Sequence, residues 1–234
     1  MKKALDFEID FEKVNSAVRI NSRIPENQAS CTTLAQYLFS RSVAGMNATE
    51  MIENINRATS NIITGRFFPF NLSDSHHMSK WLAHWIRKGA VPVALLNLQK
   101  TVIWDSIPDA WHHQMIYAVS FNEVYLTNPL ERKPIEVLLR ELNSDSVLLV
   151  RKEDVFKRFN ANPVNLNELL TMKNYSNEEK KRWYDLNVLG QVVNVLRSSS
   201  SNITHITIPA SYVAGITLFA RKDSLLYKEI LLEK

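Results

Sequence analysis

One cysteine, Cys31, stands in 234 residues, which excludes any disulfide framework within the chain and fits a reducing compartment. Glycine is scarce, with five residues, and the eight prolines are scattered. Collagen-like and low-complexity classes are thereby excluded. The longest apolar run, Ala90 to Leu96, falls far short of the roughly 20 residues that cross a bilayer, so no membrane span is expected. The first residues, Met1-Lys2-Lys3-Ala4-Leu5-Asp6-Phe7-Glu8, place acids where a secretory signal needs an apolar stretch, which points to a cytoplasmic chain. The histidines, among them His76, His77, His84, His112 and His113, come without a Cys pair, an HExxH pattern or a carboxylate cluster. Neither a metal nor a cofactor is expected. No internal repeat is present.

What is present is an ordinary apolar fraction of 45% and a charge of +4 from 28 basic and 24 acidic residues. The basic clusters Arg151-Lys152, Lys157-Arg158 and Lys180-Lys181-Arg182 are interrupted by acids, the pattern of solvated faces. Nucleic acid is therefore not the expected partner.

Along the chain, residues 5–20 read as one or two short strands, or as a strand and a turn. Asn21 to Ser30 reads as a loop. Leu34, Ala35, Leu38 and Phe39 recur at helical spacing, giving a helix from Cys31 to about Val43 with Ser30 as N-cap. Further helices are expected from Asn47 or Thr49 and over Ser75 to Lys88, with a loop or extended piece at Gly65 to Phe70 between them. Val91 to Leu98 is a buried strand. Met115 to Phe121 and Val124 to Thr127 form a hairpin about Asn122-Glu123, closed by Pro129. A helix follows at Pro134 to Leu142, then a strand or helix start at Ser146 to Val150. After residue 160 helices give way to strands at Ile203 to Ile208, Val213 to Phe219 and Leu225 to Leu232. The expected organisation is one domain over residues 1–160 and a C-terminal extension over 161–234.

A lone Cys with His and Asn elsewhere is a nucleophile signature. Placement at a helix N-terminus and a neighbouring imidazolium both favour the thiolate. The base must be held in one tautomer, and the oxyanion needs donors. Cys31 as nucleophile, His113 as base, Asn128 as its orienting amide and Gln28 as oxyanion donor fill those roles. Antiparallel pairing about the hairpin turn is expected to bring the ends bearing His113 and Asn128 together.

The order of these residues resembles the papain-like cysteine peptidases, most closely the compact bacteriocin-processing peptidase domains. The resemblance runs through Gln28 and Cys31, then Gly89-Ala90-Val91-Pro92-Val93, then His113-Gln114-Met115-Ile116-Tyr117-Ala118-Val119, and finally Val124-Tyr125-Leu126-Thr127-Asn128-Pro129. It covers roughly residues 20 to 150. It implies an α+β papain-like fold, a helical lobe with the nucleophile at a helix N-terminus packed on an antiparallel sheet. It also implies a thiol protease or amidase with a Cys31-His113-Asn128 catalytic triad and a peptide or protein substrate.

The chain departs from the family pattern in three places. Thr32 follows the nucleophile where the family has Gly. Gln28 lies closer to Cys31 than usual, with Asn27 in reserve. His112 adjoins His113 and competes with it for the role of base. Two further readings stay open: a papain-like shell kept as a binding or scaffold protein, and acyl transfer to an amine on the same site. A basic surface that takes an acidic partner is a third.

Overall fold

The computed structural model describes residues 11–25, 32–70, 75–101, 107–108, 110–159, 165–172, 175–197 and 203–233. The elements run α1 (Phe11–Ala17), α2 (Leu34–Val43), α3 (Ala48–Ala58), β1 (Ile63–Pro69), α4 (Ser75–Arg87), β2 (Val91–Asn97), β3 (Trp111–Val119), β4 (Glu123–Leu126) and β5 (Glu131–Pro134). They continue with α5 (Ile135–Leu142), β6 (Val147–Arg151), α6 (Lys152–Phe156), α7 (Asn167–Thr171), α8 (Asn177–Asp185), α9 (Val188–Arg197), β7 (His205–Pro209), β8 (Gly215–Arg221) and α10 (Leu225–Leu232). The protein is of mixed α+β class, and every strand pairing among the described residues is antiparallel.

The chain divides into two compact units, and the division does not fall at residue 160. One unit gathers Met1–Arg19, Met46–Asp145 and Tyr212–Lys234; the other gathers Ile20–Gly45 and Ser146–Ser211. The C-terminal segment expected as part of an extension therefore belongs with the main sheet. Burial explains why. β8 is buried at all but its last residue, so it needs a neighbour on each edge and cover on each face.

In the first unit the sheet order is β1-β8-β2-β3-β4-β5. β2 is buried at every position, which is why it reads as a continuous apolar run rather than an alternation. On one face Ala94, Leu96, Ile116, Ile216, Leu218 and Ala220 pack with Met78, Leu82 and Trp85 of α4, Leu138 and Leu139 of α5 and Ile230 of α10. On the other, Ile63, Val91, Val93 and Phe219 pack with Met51 of α3. Asn47 caps α3 through a reciprocal pair with Glu50. Arg66 of β1 donates to the carbonyls of Ile230, Leu231 and Glu233, tying the end of α10 to the sheet.

The second unit has the two-stranded sheet β6-β7. Phe39 of α2 packs against Tyr175 and Trp183, and Tyr37 against Phe159. The Gln191 side chain gives and receives hydrogen bonds with the Thr207 backbone, standing in for a missing strand beside β7.

Several local expectations change. Residues 11–17 are helical, not extended. For Gly65 to Phe70, read as a loop or an extended piece, the extended alternative holds, because β8 supplies a partner for it. Leu225–Leu232 is a helix capped by Ser224, not a strand; its apolar residues divide between buried Ile230 and exposed Leu225 and Leu232. The α2 helix starts at Leu34 with Thr33 as N-cap, in a capping box with Gln36. The expected cap, Ser30, lies outside the described residues.

Gly215 pairs with Pro69 across β1 and with Leu95 across β2. A Cβ there would run into the Phe67 ring and come within 2.5 Å of the Phe68 carbonyl oxygen. The Phe68 oxygen is backbone and cannot swing aside. Gly215→Ala is expected to lower stability by about 1–3 kcal/mol, measured as a shift of the urea midpoint with an unchanged slope.

Candidate functional site

β3 carries the two adjacent residues around which the candidate site is built. Strand geometry sends successive side chains to opposite faces. His113 pairs with Leu95 and lies on the α3 face; Gln114 pairs with Ala94 and lies on the face of α4 and α5.

The His113 Nε2 is 2.8 Å from the Met46 carbonyl oxygen. A carbonyl only accepts, so Nε2 carries the proton and the neutral ring leaves its lone pair on Nδ1. Nδ1 is buried and has no hydrogen-bond partner among the described residues. Burial pushes the imidazole below its ordinary 6.5, the Met46 hydrogen bond works against that shift, and repulsion from His112 adds to it. The ring is thus neutral near pH 7, fixed in one tautomer, with an acceptor nitrogen unused.

The clamp on the ring comes from local structure. Met46 immediately precedes the Asn47 cap of α3, so the start of that helix sets the direction of its carbonyl. The Met46 side chain packs beside the core of the α3 face, with its sulfur 3.7 Å from Asn54 Nδ2. Asn54 in turn exchanges hydrogen bonds with both backbone groups of Arg19. Sequence reasoning missed Met46 because a backbone carbonyl has no residue signature.

Asn128 is not the partner of His113. A two-residue turn at Asn122-Glu123 would pair Phe121 with Val124; instead Val119 pairs with Val124, and a bulge between Ile116 and Ala118 shifts the register again. The Thr127 amide then donates to the Met115 carbonyl, which sets Asn128 across from Gln114. Asn128 takes a φ of 65°, a region asparagine tolerates, and its side chain is exposed. Its carbonyl accepts from Gln114 Nε2 at 3.3 Å. No hydrogen bond between the Asn128 side chain and His113 occurs among the described residues. His112 pairs with Leu96 and lies on the face opposite His113.

Gln114 heads a buried polar chain that was not foreseen from sequence. Its Nε2 also donates to Glu131 at 2.7 Å. Lys133 Nζ bridges Glu131 at 3.2 Å and Glu141 at 2.9 Å, and the Glu141 side chain is only 3% exposed. The chain links β3, β5 and α5 on the side of the sheet away from His113.

Cys31 and Gln28 lie outside the described residues. Thr33, two positions after Cys31, accepts from the Gln36 amide and donates to Glu168 at 2.8 Å. Among the described residues no three His, Cys, Asp or Glu side chains gather as metal donors, and no helix is long and apolar enough to cross a membrane.

Comparison with family models, with curated proteins and with solved structures found no match.

The lowered His113 value makes stability depend on pH with a definite sign. The unfolded imidazole binds a proton near 6.5, whereas the folded one resists it. Below that pH the unfolded chain holds more protons, so stability falls with falling pH until the folded value is passed. In urea unfolding across this range, His113→Leu is expected to show a shallower loss than wild type. Equal slopes in the two proteins would refute the assignment.

Proposed function

We propose that the chain is a cysteine hydrolase of papain-like fold, cleaving a peptide or related amide bond with Cys31 as nucleophile and His113 as base. The observation that carries this reading is the His113 ring, held through Nε2 by the Met46 carbonyl with Nδ1 unpartnered. An imidazole that served packing alone would gain by pairing or exposing its second nitrogen, since a buried unmade hydrogen bond costs about 1–3 kcal/mol. The order of Gln28, Cys31, His113 and Asn128-Pro129 and the antiparallel sheet that bears His113 support the same reading.

In this mechanism Nδ1 takes the thiol proton as sulfur attacks the carbonyl carbon. The resulting imidazolium keeps its Nε2–H on the Met46 oxygen, which accepts more strongly from a charged ring than from a neutral one. Nδ1–H then protonates the leaving amine, and water or a second amine takes the acyl group from sulfur. The Cys31 N–H and Gln28 are assigned to the oxyanion. Met46 replaces Asn128 in the orienting role, and Asn128 instead closes the turn beside Gln114.

The second reading is a papain-like shell that binds without cleaving. It is favoured by the exposed Asn128 side chain and by Thr32 after the cysteine.

Labelling by a thiol-directed amide-mimic probe tests the proposal. Cys31→Ala is expected to abolish labelling and His113→Ala to slow it by about 100- to 10,000-fold. Asn128→Ala is expected to change the rate by less than about tenfold, because a group outside hydrogen-bond reach of the ring contributes little. A Cys31 that reacts no faster than free cysteine at neutral pH sinks the hydrolase reading and leaves the shell.

A further inference from the structure

A groove lies on the first unit, between α4 and the turn that joins β3 to β4. Ser79, Lys80, Ala83, His84, Arg87 and Lys88 form one wall; Val119, Ser120 and Phe121 form the other, around a cavity of about 640 Å³. The Ser79 hydroxyl donates to the Phe121 carbonyl at 2.9 Å and seats the turn on the helix, so the groove is held by its own backbone.

Among the described residues the lining carries no Asp or Glu. Lys80, His84, Arg87 and Lys88 are exposed, and of these only Lys88 has a carboxylate partner among the described residues, Glu229. Arg87 and Lys88 at the end of α4 complement the helix dipole, which accounts for them locally. Lys80, nearly two turns earlier, has no such role, and its i,i+4 neighbour on the same face is His84 rather than an acid. Helix stability therefore does not explain the stripe. Phe121, 69% exposed, adds an apolar anchor at the rim.

We propose that this groove docks an acidic segment of a protein partner that also presents an apolar side chain to Phe121. The basic groups from Lys80 to Arg87 span about 10 Å of helix axis. That is the reach of three or four residues of extended peptide at ~3.3 Å each, and a concave wall with Val119 and Phe121 suits carboxylates mixed with an apolar residue. A nucleic acid would carry its phosphates well past so short a stripe, and a membrane surface would not enter a groove. This docking site is independent of Cys31 and His113.

The probe is a short fluorescein-labelled peptide rich in Asp and Glu with one central Phe, followed by anisotropy with the full chain. Binding is expected at micromolar peptide and should weaken as salt rises. The charge reversal Lys80→Glu/Arg87→Glu is expected to weaken it by about tenfold or more. Should the reversal perturb folding, Lys80→Gln/Arg87→Gln is expected to give a smaller loss in a chain with unchanged circular dichroism. Absent binding, or binding that neither variant weakens, overturns the proposal. So does tighter binding by a DNA duplex or by vesicles of anionic lipid.

Discussion

The insertion of β8 between β1 and β2 is the constraint on which the first unit depends. β2 is buried at all seven positions and apolar at the first six, so it requires a hydrogen-bonded neighbour on each edge and cover on each face. β3 supplies one edge and β8 the other. Without the last twenty or so residues, β2 would be an exposed apolar edge, and β1 would have no partner among the described strands. The sheet that carries His113 is thus closed by the end of the chain, more than 100 positions away.

Within that sheet, neighbouring residues of β3 do opposite jobs because the pleat sends them to opposite faces. His113 meets the α3 side, where a helix-start carbonyl fixes its tautomer. Gln114 meets the other side, where it joins Glu131, Lys133 and Glu141. Burying Lys133 and Glu141 is tolerable because each pairs with the other; breaking such a buried pair leaves an unpaired charge, usually a loss of about 3–5 kcal/mol. The polar chain ties β3 to β5 and α5, and so steadies the strand that bears the candidate base. A register slip of one residue would exchange the two faces and put His113 among Leu96 and Ile116.

The two candidate sites draw on different physics. At His113 the useful property comes from burial and one hydrogen bond, which leave a neutral ring with an acceptor nitrogen. In the α4 groove it comes from exposure, with several cations on one helical face and few acids near them. The first depends on desolvation and should change little with salt, whereas the second is a surface field that salt screens.

Periodicity by itself determined the helices Leu34–Val43, Ala48–Ala58 and Ser75–Arg87, the buried strand β2 and the existence of the β3–β4 hairpin, because local apolar patterns encode them. His113 was singled out by residue type, as the His expected to accompany a lone Cys and an Asn. Four things were decided only in three dimensions. The place of β8 depends on a pairing between distant segments, and no local pattern announces it. Leu225–Leu232 follows an N-cap and a division of buried from exposed residues that only packing reveals. The hairpin register turned on a bulge, which sets Asn128 across from Gln114 on the face away from His113. And the group that orients His113 is the backbone carbonyl of Met46, which any residue would supply and which tertiary structure alone could place within 2.8 Å of the ring.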